Sequence, residues 1–421
     1  MKSILKKIIS SILIYQSKVI LKKYKPFIIS VTGSVGKTST KDAIFSALSD
    51  NVHVRKSDKS FNSEIGVPLT ILGCQNGWTD PLAWAMNILH GFELMIFKSD
   101  YPKFLVLEIG ADHPGDIESI SKWLVSDIVV ITKIGEVPVH VEFFASPEAL
   151  IKEKSYLIKS LKANGNLILL SDEKRVSDLS KDVKQKCSTF GINTMATVTA
   201  SDISIIYDEN KMPEGMAFKI NYQGNSIPFK LHGILGNQQI YPMLAGVLAG
   251  VTCNIPIMKV ISSLENHIPP RGRMNIVQGI NKSVIIDDTY NSSPDALREG
   301  LTTLASLQVS GKRIAVLGDM MELGSFSVEE HKKAGVQALK SCDVLVTVGQ
   351  RSRSMSEKAV SFGDSSSAGE YLKGIVNEGD IVFVKGSQSM RMEKVVKALL
   401  AEPEKAGELL VRQDPEWLAK K

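Results

Sequence analysis

The sequence predicts two successive α/β units: a P-loop parallel-sheet domain followed by a Rossmann-like α/β domain. Three observations carry this. The apolar run Phe27–Val31 breaks into Gly-Ser-Val-Gly, then Lys37-Thr38-Ser39-Thr40 and a helical stretch. Strand-like and helix-like segments alternate from there on, which is the rhythm of a parallel sheet covered by helices. That rhythm stops at "NHIPPRGRMNIV", where Pro-Pro and Gly mark a boundary, and then restarts.

The elements follow in order. Residues 1–26 read as a basic amphipathic helix, with Ile4, Leu5, Ile8, Ile9 and Ile12 at helical spacing and lysines on other faces. Lysines interrupt the apolar run and no small-residue cleavage site precedes Phe27, so the stretch makes a poor signal peptide, and the run is too broken to span a bilayer. It either packs on the body of the protein or lies on an anionic membrane surface. Phe27–Val31 is a strand and Lys37–Leu48 a helix. The segment "DPLAWAMNILHGFELMIF" (80–97) is strongly apolar but short for a membrane span. It reads first as an ordinary core helix, and otherwise as one half of an apolar platform shared with the N-terminal helix. Phe104–Glu108 and Ile128–Thr132 are strands, Glu148–Leu161 is helical and Asn166–Leu170 is a strand. Residues 186–232 form an antiparallel excursion of the same domain. After the boundary, "SVIIDD", "RIAVLGD", "VLVTVG" and "IVFVKG" each precede a helical stretch. The expected division is 1–26, 27–270 and 271–421.

Composition narrows the function. With 43% hydrophobic and 23% charged residues over 421, the chain is globular and long enough for two or three domains. Seven lysines and no acid fall in residues 1–25; the other 43 basic side chains face 45 acidic ones. The body therefore makes no electrostatic case for nucleic acid. Cys74, Cys187, Cys253 and Cys342 form no CxxC pair, against a zinc ribbon, and so few scattered thiols suit a reducing cytoplasm.

The loop Thr32-Gly33-Ser34-Val35-Gly36-Lys37-Thr38-Ser39 has the chemistry of a phosphate cradle. Gly33 and Gly36 let backbone N–H groups turn inward at the start of a helix whose dipole favours anions. Lys37 then reaches the β/γ-phosphates, and the Thr38 hydroxyl can ligate Mg²⁺. Glu108 ends a strand, His140 lies in "VPVHVEFF" and Lys154 in "SPEALIKEKSYLI". The first two fall where a parallel sheet presents its ligands, beyond strand C-termini. Each of the three alone is more often structural.

In combination these stretches resemble the Mur ligases, the ATP-dependent amide-forming enzymes of peptidoglycan precursor synthesis. The similarity is greatest to the members that add D-Ala-D-Ala to a UDP-muramoyl-tripeptide. It rests on the loop 32–39 and on "SFNSEIGVPLT" (60–70), "LEIGADHPGDI" (107–117), "HVEFFASPEALIKEK" (140–154), "IIDDTYNSSPDAL" (285–297), "VLGDMMELG" (316–324) and "VKGSQSMRMEKVV" (384–396). The resemblance implies a Mur central domain over 27–270 and a Mur C-terminal domain over 271–421. It implies ATP, two Mg²⁺ ions and a carbamylated lysine at Lys154, with Thr38, Glu108 and His140 as the other metal ligands. Arg273 would reach the phosphates from the domain junction, and Asp288, Tyr290 and Asn291 would meet the nucleotide. Gln239 would sit on the adenine side. Asn62, Glu64 and Arg391, with Glu393 in support, would contact substrate. The implied partners are a muramoyl-peptide acceptor and D-Ala-D-Ala, and the implied setting is cytoplasmic cell-wall synthesis, with its bearing on cell shape and division. Peripheral contact with the inner face of the membrane would run through 1–25 and 80–97.

The sequence departs from the family pattern in four places. Only 26 residues precede the first strand, where those relatives carry a domain that grips the UDP-sugar. Lys133 stands in "ITKIGEVPVH" where the family has Asn. Gln238-Gln239-Ile240-Tyr241-Pro242 replaces the "HN-x-x-N" pattern. The apolar segment 80–97 is extra. These leave open a ligase acting on another, lipid-linked, acceptor. Two rivals from other classes are a noncatalytic nucleotide-gated membrane adaptor and a small-molecule kinase.

Overall fold

The structure, a computed structural model, describes residues 2–58 and 61–419; the side chains of residues 2–4, Ile4 of the expected apolar face among them, and of Asp182 lie outside that set. Helix α1 (Lys2–Tyr24) leads into β1 (Phe27–Thr32) and α2 (Lys37–Ser49). Next come β2 (Val54–Lys56), α3 (Gly66–Leu72), α4 (Pro81–Ile96), β3 (Phe104–Glu108), α5 (Asp116–Ser121) and β4 (Ser126–Ile131). Then follow α6 (Pro147–Ser155), β5 (Leu161–Leu170), α7 (Lys174–Ser177) and β6 (Lys186–Gly191). The run closes with β7 (Val198–Tyr207), β8 (Pro213–Tyr222), β9 (Asn225–His232), α8 (Ile240–Thr252) and α9 (Ile257–Glu265).

The nine strands make one sheet in the order β2-β3-β1-β4-β5-β6-β7-β8-β9. Pairing is parallel from β2 through β7 and antiparallel from β7 to β9. The excursion over 186–232 is thus an extension of the same sheet, and it begins with a parallel strand, β6. Both faces of the central strands are covered, so β1 and β4 bury consecutive side chains on each face and are mostly apolar, with the buried Ser30 and Ser126 bonding each other at 2.8 Å. The β8–β9 turn is Gln223-Gly224, both at positive φ, which matches a two-residue hairpin loop to the strand twist.

Helix α6 is set by Ser146, whose hydroxyl accepts from the Ala149 N–H, and by Pro147 in its first turn. It ends at Ser155, earlier than the sequence suggests; a 3-10 turn (Tyr156–Ser160) follows and β5 starts at Leu161. The strand also starts earlier than expected. Its register against β4 jumps from Ser126↔Leu161 to Ile128↔Asn166, so residues 162–165 bulge and hide the alternation.

The second sheet contains β10 (Asn275–Gln278), β11 (Val284–Asp288), β12 (Arg313–Gly318), β13 (Val344–Val348), β14 (Val360–Phe362) and β15 (Ile381–Lys385). Its order is β10-β11-β15-β12-β13-β14, parallel except for β10. Helices α10 (Pro294–Ser306), α11 (Ser327–Ser341), α12 (Ser365–Lys373) and α13 (Glu393–Leu399) cover it.

The expectation of an ordinary core helix over 80–97 is corrected. Helix α4 packs against α1 and α3, and only Gly91 and Leu94 of it are buried. No described helix is long and apolar enough to cross a membrane.

Candidate active site

The loop after β1 is strapped to the end of β4. Ser34 and Val35 donate their N–H groups to the Lys133 carbonyl at 2.8 and 2.9 Å, and the Thr132 hydroxyl donates to the Val35 carbonyl at 2.8 Å. Gly33 is at φ +146°, and a Cβ there would lie 2.0 Å from the Thr132 hydroxyl. Only glycine allows that approach. The strap corrects one expectation, since the Ser34 and Val35 N–H groups bind protein instead of turning inward. The donors left for an anion are the first-turn N–H groups of α2, whose N-cap, Gly36 at φ +85°, offers no side-chain cap.

The start of α2 opens on a polar cleft of about 430 Å³ between the two sheets. Lys37 and Thr38 come from α2, Asn62 from the loop after β2, Glu108 from the tip of β3, and Lys154 from α6. Arg273, Tyr290 and Asn291 enter from the second unit. Glu108 and Lys154 are 5% and 2% exposed. The Lys154 ammonium donates to the Gly33 carbonyl at 2.9 Å. Burial holds it well below lysine's ordinary range, and the neighbouring Lys37 charge pushes it further down. Lys37 is also lowered by burial, opposed by the Glu108 carboxylate.

His140 stands at φ +71°, and its ring meets the second unit at Glu322. Its Nδ1 lies 2.7 Å from Glu322 Oε2, and its Nε2 lies 3.6 Å from Asp112 Oδ1. Glu322 is held below the ordinary carboxylate range by His140. Arg273 stacks its guanidinium 4.1 Å from the Tyr290 ring centre and keeps a buried Nε without a partner.

Other expected residues fall outside the cleft. Thr32, Gly33 and Ser39 shape the loop from behind, Thr32 and Ser39 both being buried. Asp288 is buried and turned to Lys385, which also donates to the Asn291 carbonyl at 3.0 Å; Asp288 therefore acts on Asn291 at one remove. Glu64 is exposed and pairs with Lys6 at 3.5 Å. Arg391 pairs with Glu393 and lines an adjoining cavity of about 420 Å³ with Glu322, Gln388 and Trp417. Gln239 is buried and lines no part of the cleft. Its neighbour Gln238 instead faces a narrow recess bounded by Gly36, Thr40, Lys133, Tyr241 and Asp295, with both amide atoms buried and unpaired.

Among the described residues no three His, Cys, Asp or Glu side chains gather closely enough to hold a metal by themselves. Mg²⁺ needs no such cage, since it keeps waters and takes one or two protein oxygens beside substrate phosphates. A hydroxyl at Thr38 and a buried carboxylate at Glu108 fit that donor set.

The sequence signature described as Mur ligase middle domain matches residues 31–250, and that described as Mur ligase, glutamate ligase domain, matches 272–388. The chain belongs to the Mur ligase family. The UDP-N-acetylmuramoyl-tripeptide–D-alanyl-D-alanine ligase of Bacillus subtilis is 29% identical over 399 residues, covering 92% of this chain and 79% of its own. The ligase of the same name from Buchnera aphidicola of Acyrthosiphon pisum is 30% identical, covering 91% of this chain and 79% of its own. Among solved structures, MurF ligase from Thermotoga maritima in complex with ADP superposes with a TM-score of 0.77 at 27% identity, over 95% of this chain and 84% of that one.

In this Mur ligase Lys133 serves twice. Its backbone carbonyl straps the loop, and its side-chain ammonium reaches Glu299 of α10 at 3.2 Å, joining the two units beside the recess. Asp112, Glu322 and Gln388 in the cleft, and Gln238 in the recess, are among the polar residues that sequence reasoning missed. Asp112 and Glu322 sit inside motifs already quoted, but nothing in one dimension sets them against His140.

Proposed function

We propose that the protein is an ATP-dependent ligase that joins the amine of D-Ala-D-Ala to the terminal carboxylate of a UDP-N-acetylmuramoyl-tripeptide in peptidoglycan synthesis. One observation carries the reading. Lys37, Thr38, Glu108 and Lys154 from the first unit and Arg273 and Asn291 from the second converge on one cleft beside the α2 N-terminus. The named relatives support the choice of substrates.

Lys37, the α2 N–H groups and Arg273 hold the β- and γ-phosphates and offset charge that spreads over the transferring group. A carboxylate oxygen of the acceptor attacks the γ-phosphorus, and the bond to ADP breaks. The amine of the second substrate then attacks the acyl carbon. The carbon–oxygen bond to phosphate breaks, phosphate leaves, and the amine's proton passes to solvent. Closure of the two units around the cleft keeps water from the acyl phosphate.

Mg²⁺ bound at Thr38 and Glu108, with His140 and a carboxylated Lys154 placing a second ion, would neutralise phosphate charge. The neutral amine that burial favours at Lys154 can add CO₂, forming an N–C bond and releasing one proton. Gln238 takes the adenine-side role expected of Gln239. The functional units are taken as 1–26, 27–270 and 271–421. A cytoplasmic setting agrees with the free cysteines among the described residues. Peripheral membrane contact is a separate proposal, carried by a surface outside the cleft.

The test is ADP release with UDP-muramoyl-tripeptide and D-Ala-D-Ala, followed by mass spectrometry. An amide adduct is expected. A phosphorylated acceptor would make the protein a kinase, and absence of both products would leave the adaptor. Chelation should abolish turnover and Mg²⁺ should restore it. A mass increment of one CO₂ on the peptide containing Lys154 checks the carbamate.

A further inference from the structure

Helix α4 presents an apolar stripe to solvent. Leu82, Met86, Leu89 and Ile96 recur at helical spacing and are 58–72% exposed, with Phe92 beside them. Trp78 precedes the helix and Phe97 follows it, both more than half exposed. A soluble helix ordinarily turns this face inward; here the inward face is the narrow one.

The attachment of α4 to α1 explains why. The helices run parallel, with Gln16 donating to the Ile88 carbonyl at 2.8 Å. Gly91 sits so close that a Cβ would fall 2.2 Å from the Gln16 side-chain oxygen. At the end of α4, Lys23 donates to the Leu94 carbonyl at 2.8 Å and Tyr24 to the Phe97 carbonyl at 3.0 Å. These contacts fix the rotation of α4 with its apolar stripe outward. The outer face of α1 is basic, with Lys18 and Lys22 exposed one turn apart; Lys25 is exposed just past the end of α1 and Lys98 past the end of α4.

We propose that the α1–α4 pair is a docking surface for an anionic lipid bilayer, with the α4 stripe inserted at the headgroup–acyl boundary and the lysines of α1 on the headgroups. Apolar insertion flanked by lysine is the chemistry of interfacial helices. Charge complementarity favours lipid over a second copy of the chain, because two-fold pairing through this face would set the lysines of one α1 near those of the other. The inference is independent of the proposed reaction, since none of these residues lines the cleft.

The test uses the full chain with extruded vesicles of phosphatidylcholine alone and of phosphatidylcholine and phosphatidylglycerol in equal parts. Co-sedimentation should be about tenfold greater with the anionic vesicles and should fall as salt is raised. Trp78 emission should shift to the blue on binding. Leu89→Asp with Phe92→Asp, and separately Lys18→Glu with Lys22→Glu, should each lower binding about tenfold while leaving ADP release unchanged. The lysine pair, on the outer face of α1, serves if the α4 pair impairs folding. Equal recovery of wild type and both variants in the supernatant overturns the proposal. So does a concentration-dependent dimer that Leu89→Asp with Phe92→Asp abolishes without any vesicle binding.

Discussion

Lys154 shows how one buried amine can be both a cost and a tool. It is 2% exposed, its ammonium meets one carbonyl, and the positive charge of Lys37 lies close by. Burial disfavours its charged form, and its bond to the Gly33 carbonyl is all that replacement removes, so Lys154→Gln should melt within a few degrees of wild type. Its ADP release should nevertheless fall by at least about 10²-fold, the loss typical of removing one preorganised charge-stabilising group. Melting and turnover measured on the same preparation check both halves. Gln238 makes a second prediction at this scale. Its amide nitrogen and oxygen are buried and unpaired in the recess beside Gly36. A buried amide is completed by a ligand that offers both a donor and an acceptor, as the purine edge of adenine does. Gln238→Leu should raise KM for ATP about 10- to 100-fold and narrow the preference for ATP over GTP, with kcat changed less. Competition assays between the two nucleotides would show it. The loop and Lys37 were legible because the motif is local. Gln238 was not, because choosing between adjacent glutamines requires knowing which one the helix start turns inward.

At the scale of elements, α2 is the busiest. Its N-terminus faces the cleft, α8 and α9 pack along it, and Ser46 on it contacts His267, just beyond α9, at 2.9 Å. Burial lowers the His267 pKa from 6.5 to about 4. The native state therefore binds fewer protons than the unfolded chain between those values. The resulting stability is full above pH 6.5 and is lost as pH falls toward 4, by at most roughly 3 kcal/mol. Asp287, raised by burial to about 6, acts in the opposite direction over part of that window. The difference between wild type and His267→Gln isolates the histidine. Urea unfolding at pH 7 and pH 4.5 should show the variant losing less stability on acidification. Most elements were legible from apolar period. The ends of α6 and β5 were not, because a bulge set by pairing with β4 leaves no local mark. The face of α4 was not legible either. An apolar helix of 16 residues reads as core until its neighbours are known.

For the whole molecule, function rests on two sheets meeting over one cleft. The junction beside the recess is made by Lys133 with Glu299, by the Glu136 N–H donating to Asp295 at 3.2 Å, and by Gly135 between them. Gly135 is at φ +83°, and a Cβ there would lie 2.1 Å from the Asp295 carboxylate. Gly135→Ala should therefore wedge the units apart and strain the backbone, at a cost of about 1–2 kcal/mol in stability. Turnover should drop about tenfold or more, because misplacement of reacting groups is costly. Small-angle scattering with ADP should report a less closed molecule than wild type. A matching scattering profile with unchanged turnover would show that this contact does not govern closure.

The amino-acid order by itself determined the two α/β units, the glycine loop before α2 and the stretches that resemble Mur ligases, since each is written in contiguous residues with its own period or spacing. Tertiary structure alone decided which side chains share the cleft, that Gln238 rather than Gln239 faces the recess, that His140 meets Glu322, and that α4 turns its apolar stripe outward. The physical reason is the same in each case. These outcomes depend on contacts between residues far apart in the chain, such as Gly33 with Thr132 and Gln16 with Gly91, and on the few ångströms that such contacts leave free.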